Sequence, residues 1–177
     1  MKKIIAMLLA AAMILTCAAM AETRTYTDHD KDITFQYDDA QFEITMDDES
    51  DDELLVILHG TNADWGEETF IRIHLADLDD GEKFPTVDDY ADMTAATGDE
   101  VKQGEWNGFN DVIMYNYTID DYTENVFIVP VHDDDDNEVD DILTINIGVT
   151  RIEDEEAAML RDDVISEVVD SLKIIND

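Results

Sequence analysis

The chain has 177 residues, with 46 Asp or Glu against 10 Lys or Arg and a formal net charge of −36. A polyphosphate partner needs a basic footprint, and docking on an anionic membrane needs Lys/Arg-rich helices, so the composition excludes nucleic-acid and charge-driven membrane binding. The length suits one domain, and an apolar content of 45% supports a core rather than a disordered acidic tail.

The first 21 residues read as a secretory signal: Lys2 and Lys3, an apolar run over 4–15, and Ala19-Met20-Ala21 before a cleavage point at Glu22. Cleavage removes two lysines and no carboxylate, so the exported chain is more acidic still. The only cysteine, Cys17, lies in this segment, so the exported chain has no disulfide, thiolate ligand or Cys nucleophile. Lipidation at Cys17 is the minor alternative, with Ile14-Leu15-Thr16 departing from the small residue usual before a lipidated cysteine. No integral membrane segment is expected after cleavage.

Beyond the signal, one domain is expected over 22–177. Ile33, Phe35 and Tyr37 alternate with polar residues, as do Phe42, Ile44 and Met46, which predicts two short strands around a turn at Asp38-Asp39. The apolar run 54–58 predicts a buried strand, and Ile71, Ile73 and Leu75 predict a half-buried one. After Pro85, Val87, Tyr90, Ala91 and Thr94 share a helical face, with Thr86 as N-cap, Asp88 and Asp89 at the positive end of the dipole, and Gly98 past the end. Segments 112–119, 126–131 and 142–149 predict an antiparallel meander. Over 154–172, Ala157, Leu160, Val164, Val168 and Leu172 form a stripe widened by Ile165 and Val169. Arg161 falls outside that stripe, Glu155 and Glu156 sit in the first turn, and Lys173 stands at the end. The expected class is α+β: an antiparallel sheet packed by a mid-chain helix and a C-terminal amphipathic helix.

Candidate chemistry is sparse. The serines of the exported chain, Ser50, Ser166 and Ser171, lie in no G-x-S-x-G context, and His29, His59, His74 and His132 form no H-x-x-x-H pair. Carboxylates are too numerous for sequence to single out a glycosidase-like pair. Calcium is the cofactor the composition favours, with Asp133, Asp134, Asp135 and Asp136 in a loop between two strands as candidate ligands for weak binding. Asp28, Asp30 and Asp32 open like a calcium loop, but Ile33 stands where Gly is required and Asp39 where Glu is. Trp65 and Trp106, in polar loops, are candidates for lining a carbohydrate or peptide groove, against the alternative that each covers a core edge.

Several stretches resemble the PsbP-like α/β/α sandwich family, which includes extrinsic photosystem II proteins and DcrB-like envelope lipoproteins. They are Ile33-Thr34-Phe35-Gln36-Tyr37 followed by Phe42-Glu43-Ile44, similar to an opening hairpin; the helix after Pro85; Trp106-Asn107-Gly108-Phe109-Asn110 leading into a long strand; and the ending Val168-Val169-Asp170-Ser171-Leu172-Lys173-Ile174. Asp38-Asp39-Ala40-Gln41 stands where relatives often carry Pro-x-x-Trp. The resemblance implies a non-catalytic binding or assembly protein of a bacterial envelope or extracellular space, working through a protein partner. The rival expectations are a calcium-responsive module and a carboxylate-based glycan hydrolase.

Overall fold

A computed structural model describes residues 22–175 except 30–32, 51–52, 67, 79–80, 95–99 and 133–138. The signal-like segment, Asp30, Asp32, Gly98 and the Asp133 to Asp136 run therefore lie outside the described residues.

Period-two patterning builds most of the chain. The strands are β1 (Thr23–Thr27), β2 (Ile33–Asp38), β3 (Phe42–Glu49), β4 (Glu53–Gly60), β5 (Thr69–Asp77), β6 (Lys102–Trp106), β7 (Phe109–Ile119), β8 (Tyr122–His132), β9 (Val139–Thr150) and β10 (Lys173–Ile174). The helices are α1 (Val87–Thr94) and α2 (Glu155–Ser171). A seven-stranded antiparallel sheet runs in the order β3-β4-β5-β9-β8-β7-β6, and a three-stranded one in the order β1-β2-β10. The α+β class and the β7-β8-β9 meander match expectation.

One face of the large sheet carries the main core. Val56, Leu58, Ile71, Ile73, Val129, Leu143 and Ile145 pack there under Ile165, Val168, Val169 and Leu172 of α2 and its C-cap, together with Ile33 and Phe35 of β2. On the other face α1 covers only part of the sheet: Tyr90 stacks on Tyr115 at 5.3 Å, and Phe84 and Val101 close over Ile113, Val126 and Ile128. The sheet thus has a helix on each face, and no described element covers the rest of the second face. Pro130, which lacks an N–H, lies beyond the last rung between β7 and β8, where β8 pairs with β9 alone.

Three expectations are corrected. First, β2 and β3 form no hairpin: β2 pairs with β1 and β10, whereas β3 pairs with β4 in the other sheet. The sequence Thr23-Arg24-Thr25-Tyr26-Thr27 hides β1 because only Tyr26 of it is buried, stacked on Phe35 at 4.8 Å with its hydroxyl donating to Asp47 Oδ1 at 2.7 Å. Second, the α2 stripe is rotated at its start. Arg161 is 5% exposed and Leu160 51% exposed, because the Arg161 Nη1 donates to the Thr150 carbonyl at the end of β9 (2.6 Å) and its Nε to Asp162 Oδ1 (3.0 Å). A long aliphatic stem with a satisfied head can occupy a core-facing position that a hydrophobicity pattern assigns elsewhere. Third, Lys173 belongs to β10, since Leu172 is already extended.

Both helices begin where expected, although at α1 the hydroxyl of Thr86 donates rather than accepting as an N-cap does. Asp154 caps α2 by accepting from the N–H of Glu156 (3.0 Å) and Ala157 (3.1 Å). Thr86 donates to Asp89 Oδ2 from its backbone N (2.7 Å) and its hydroxyl (2.8 Å). That pair of bonds holds the Asp89 carboxyl below the usual carboxylate range.

Ion pairs such as Arg24–Asp39 at 2.5 Å and Arg161–Asp162 at 3.0 Å can neutralise only a minority of the carboxylates, since 10 Lys or Arg face 46 Asp or Glu. Self-repulsion is therefore relieved mainly by counterions. The melting midpoint is expected to rise by several degrees between low salt and about 0.5 M NaCl. The rise should be the same in sodium, magnesium and calcium salts matched in ionic strength; a saturable rise confined to calcium would instead locate a specific site.

Candidate functional site on the open sheet face

Residues directly opposite each other in adjacent strands share a face, so the register sets out what the open region presents. His59 pairs with Phe70, Phe70 with Gly148, Gly148 with Glu124 and Glu124 with Tyr117, a row across five strands. Beside it, Ile57 pairs with Arg72 and Arg72 with Asn146. Met46, just past an irregularity in β3, extends the Ile57–Arg72–Asn146 rung, and Ile119 pairs with Tyr122 on the rung beside Tyr117–Glu124, so an exposed apolar side chain, 45% and 61% exposed, stands on either side of the row.

Gly148 makes the centre of this face possible. A Cβ there would lie 2.4 Å from Phe70 Cε1 and 2.5 Å from Tyr122 Oη, so both rings close over the bare β9 backbone, as aromatic side chains do over a sheet glycine. The rings of His59 and Phe70 are 5.9 Å apart at 30°, and those of Phe70 and Tyr122 6.5 Å apart at 25°. The Arg72 guanidinium sits 5.6 Å from the Phe70 centroid, in cation–π range. Next to Phe70 is a shallow hollow of about 230 Å³ lined by Ile57, His59, Glu68, Phe70 and Arg72.

Glu124 anchors the other end. It is 7% exposed, and a buried carboxylate must be hydrogen-bonded to remain there. Its Oε2 accepts from the hydroxyls of Tyr117 and Tyr122, the latter at 2.8 Å, and its Oε1 accepts from Asn146 Nδ2 at 2.7 Å. These three partners are donors, so the group is set up to accept and to position the two phenols. Burial, followed by the bond to Glu124, pushes the Tyr117 phenol up to about 12, and the same causes raise Tyr122.

A phenol whose pKa is raised on folding from the ordinary 10.0 stabilises the fold fully below that value. The stabilisation is lost as pH climbs from there toward about 12. Urea midpoints should fall across this window, and the fall should be smaller in Tyr117→Phe; an identical profile in the variant would remove this phenol from the account.

Trp65 and Trp106, candidates for a groove or for covering a core edge, both pack against the core. Trp65 is 1% exposed and packs on Phe42 at 5.6 Å, and its indole N–H has no partner among the described residues. Trp106 is half-buried, stacked on Phe127 at 3.9 Å and 16°, and also packs against the main core. Neither belongs to the open face.

Asp28 accepts from the Ile33 N–H at 2.7 Å inside the β1–β2 connection. Of the histidines, His74 meets Glu53 at 2.6 Å and His59 joins the aromatic row. Among the described residues no group of three or more His, Cys, Asp or Glu is placed to hold a metal ion. Ser171 accepts from the Gln36 N–H (2.7 Å) and donates to the Val168 carbonyl (2.7 Å), tying α2 to β2. A second hollow, about 460 Å³, lies between α2 and β2 and includes Tyr37, Asp38, Val164, Glu167 and Asp170.

Sequence reasoning passed over the open face because Phe70, Arg72, Glu124 and Asn146 occupy the alternate positions of strands identified by their core-facing partners. The signal was there in Phe70 and Tyr122 on either side of Gly148, but it needs the strand order to bring them together.

Among the described residues no helix is long and apolar enough to cross a membrane. No family model, no curated protein and no solved structure matches the chain.

Proposed function

We propose that the chain is an exported, non-enzymatic binding module that engages a protein partner through the open face of its large sheet. The observation that carries this is the apolar and aromatic band of half-buried Ile57, Phe70 and Tyr122, flanked by exposed Met46 and Ile119, which α1 leaves uncovered. Apolar side chains in a band, unlike scattered ones, mark interaction sites. Glu124 and Gly148 serve this surface by fixing the rings in place, which lowers the entropy lost when a partner orders it.

The signal-like N-terminus supports export to the envelope or the extracellular space. The helix-on-each-face arrangement and the turn from Trp106 into β7 support a PsbP-like sandwich, whereas the stretch at Ile33 does not, since β2 and β3 do not pair. N-terminal sequencing of the native protein should begin at Glu22; a lipid-modified Cys17 start would make it an anchored protein.

The test is recovery of partners from the native envelope or medium with tagged protein, compared with a Met46→Glu/Ile119→Glu double variant. Both positions are exposed, so the change should leave stability nearly unaltered. The wild type should retain a discrete protein that the variant loses. No protein above background, or equal recovery by both, would overturn the proposal.

A further inference from the structure

The open face has a chemistry that narrows the partner, on the understanding that this face is the binding surface. The hollow beside Phe70 holds about 230 Å³, below the roughly 300 Å³ at which pockets begin to enclose small-molecule ligands. Ile57 and the Phe70 ring give it an apolar lining, and its volume is that of about one large side chain. Interfaces concentrate their energy in such anchors, with aromatic residues foremost. The edge of the band is acidic. Glu68 lines the hollow, Glu43 pairs with His59, and Asp120 and Asp121 form the turn between Ile119 and Tyr122; all four are exposed. Among the described residues Arg72 is the only Lys or Arg lining the hollow, and its guanidinium is already set over Phe70.

A second copy of the chain is a poor occupant, because it brings another −36 of formal charge against this rim. We infer that the partner is a basic protein segment that seats one aromatic side chain in the hollow between Ile57 and Phe70 while its Lys or Arg residues meet the carboxylates of the rim. The net charge steers the segment in, and the hollow supplies the specificity.

Three short labelled synthetic peptides test this against the exported chain: a Lys-rich one with a central Trp, the same peptide with Ala for Trp, and a Glu-rich one with the Trp. Anisotropy titrations at about 0.15 M salt should show the Lys/Trp peptide binding roughly tenfold or more tighter than its Ala counterpart and no binding of the Glu-rich peptide. Glu68→Lys, at the hollow, should weaken the Lys/Trp peptide by a similar factor. Glu167→Lys, the same charge change on the exposed side of α2, should have a much smaller effect. Ile57→Ser should abolish the advantage of Trp over Ala, with the circular dichroism spectrum confirming that it is folded.

Equal binding of the Trp and Ala peptides, or equal effects of Glu68→Lys and Glu167→Lys, would overturn the inference by reducing the attraction to bulk charge. Tighter binding of the Glu-rich peptide would overturn it by giving Arg72 the deciding role. A dimer in sedimentation that Ile119→Glu dissolves would overturn it in favour of a second copy. If the peptides fail while the Met46→Glu/Ile119→Glu variant still loses its native protein, the partner chemistry falls and the binding face stands.

Discussion

Trp65→Ala is expected to lower the free energy of unfolding by about 3–5 kcal/mol, the range for truncating a fully buried large aromatic side chain. The indole is 1% exposed and packs on Phe42, and a Cβ at Gly60 would already lie 2.9 Å from its Cε3. The backbone at Gly60 thus approaches the ring as closely as only glycine permits, and a cavity there cannot collapse without moving β4. Urea unfolding monitored by circular dichroism measures the loss, and a change below about 1 kcal/mol would contradict the packing described. Trp65→Phe should cost distinctly less. It keeps most of the ring volume and removes an indole N–H that has no partner among the described residues, so part of the lost packing is offset by a recovered desolvation penalty.

The second large effect is expected at Glu124. Glu124→Ala removes the acceptor of three hydrogen bonds and strands Tyr117, Tyr122 and Asn146 as partly buried donors. With roughly 1–3 kcal/mol for each unsatisfied group and some relief by water, the cost should be about 3 kcal/mol. That corresponds to a fall in melting midpoint of about 6–12 °C for a chain of this size. Glu124→Gln keeps an acceptor but turns an amide N–H₂ toward existing donors, so it should recover only part of the loss. A cycle of Glu124→Ala with Tyr122→Phe should be non-additive, because both changes break the same bond. Additive losses would mean that the carboxylate does not hold the ring.

The two predictions differ in how visible their residues are in the sequence. The strands β4, β5, β8 and β9 and the apolar part of α2 were legible, β4 as a continuous apolar run, β5 and α2 by the period of their element, and β8 and β9 as apolar segments between Asp/Asn-rich turns. Thr86 and Asp154 were legible as helix starts because capping is local chemistry. β1 was not, since Thr23-Arg24-Thr25-Tyr26-Thr27 becomes a strand by pairing with β2 and stacking Tyr26 on Phe35, both tertiary events. The separation of β2 from β3 was hidden for the same reason: alternation fixes which side of a strand is apolar and leaves its neighbour undetermined. Trp65 looked like a loop residue because Asn62, Asp64 and Gly66 surround it. The chain there makes a single 3-10 turn, Ala63–Trp65, that points the indole into the core.

The open face was the least legible part. Each strand contributes one or two of its residues, drawn from positions that a polar-outside pattern assigns to solvent. Only the order β4-β5-β9-β8-β7 makes a surface of His59, Phe70, Gly148, Glu124 and Tyr117. Charge, by contrast, was fully readable and is the property on which the partner chemistry depends.

The most direct test of this account places a photo-crosslinking amino acid at Ile119, at Met46 and, as a comparison, at Met159. All three native side chains are exposed, but Met159 lies on α2, on the opposite side of the large sheet. Irradiation in the native envelope or medium should join a discrete protein to the Ile119 and Met46 positions and leave Met159 unjoined. A product from Met159 alone, or none from Ile119 and Met46, would contradict the assignment of the open sheet face as the binding surface.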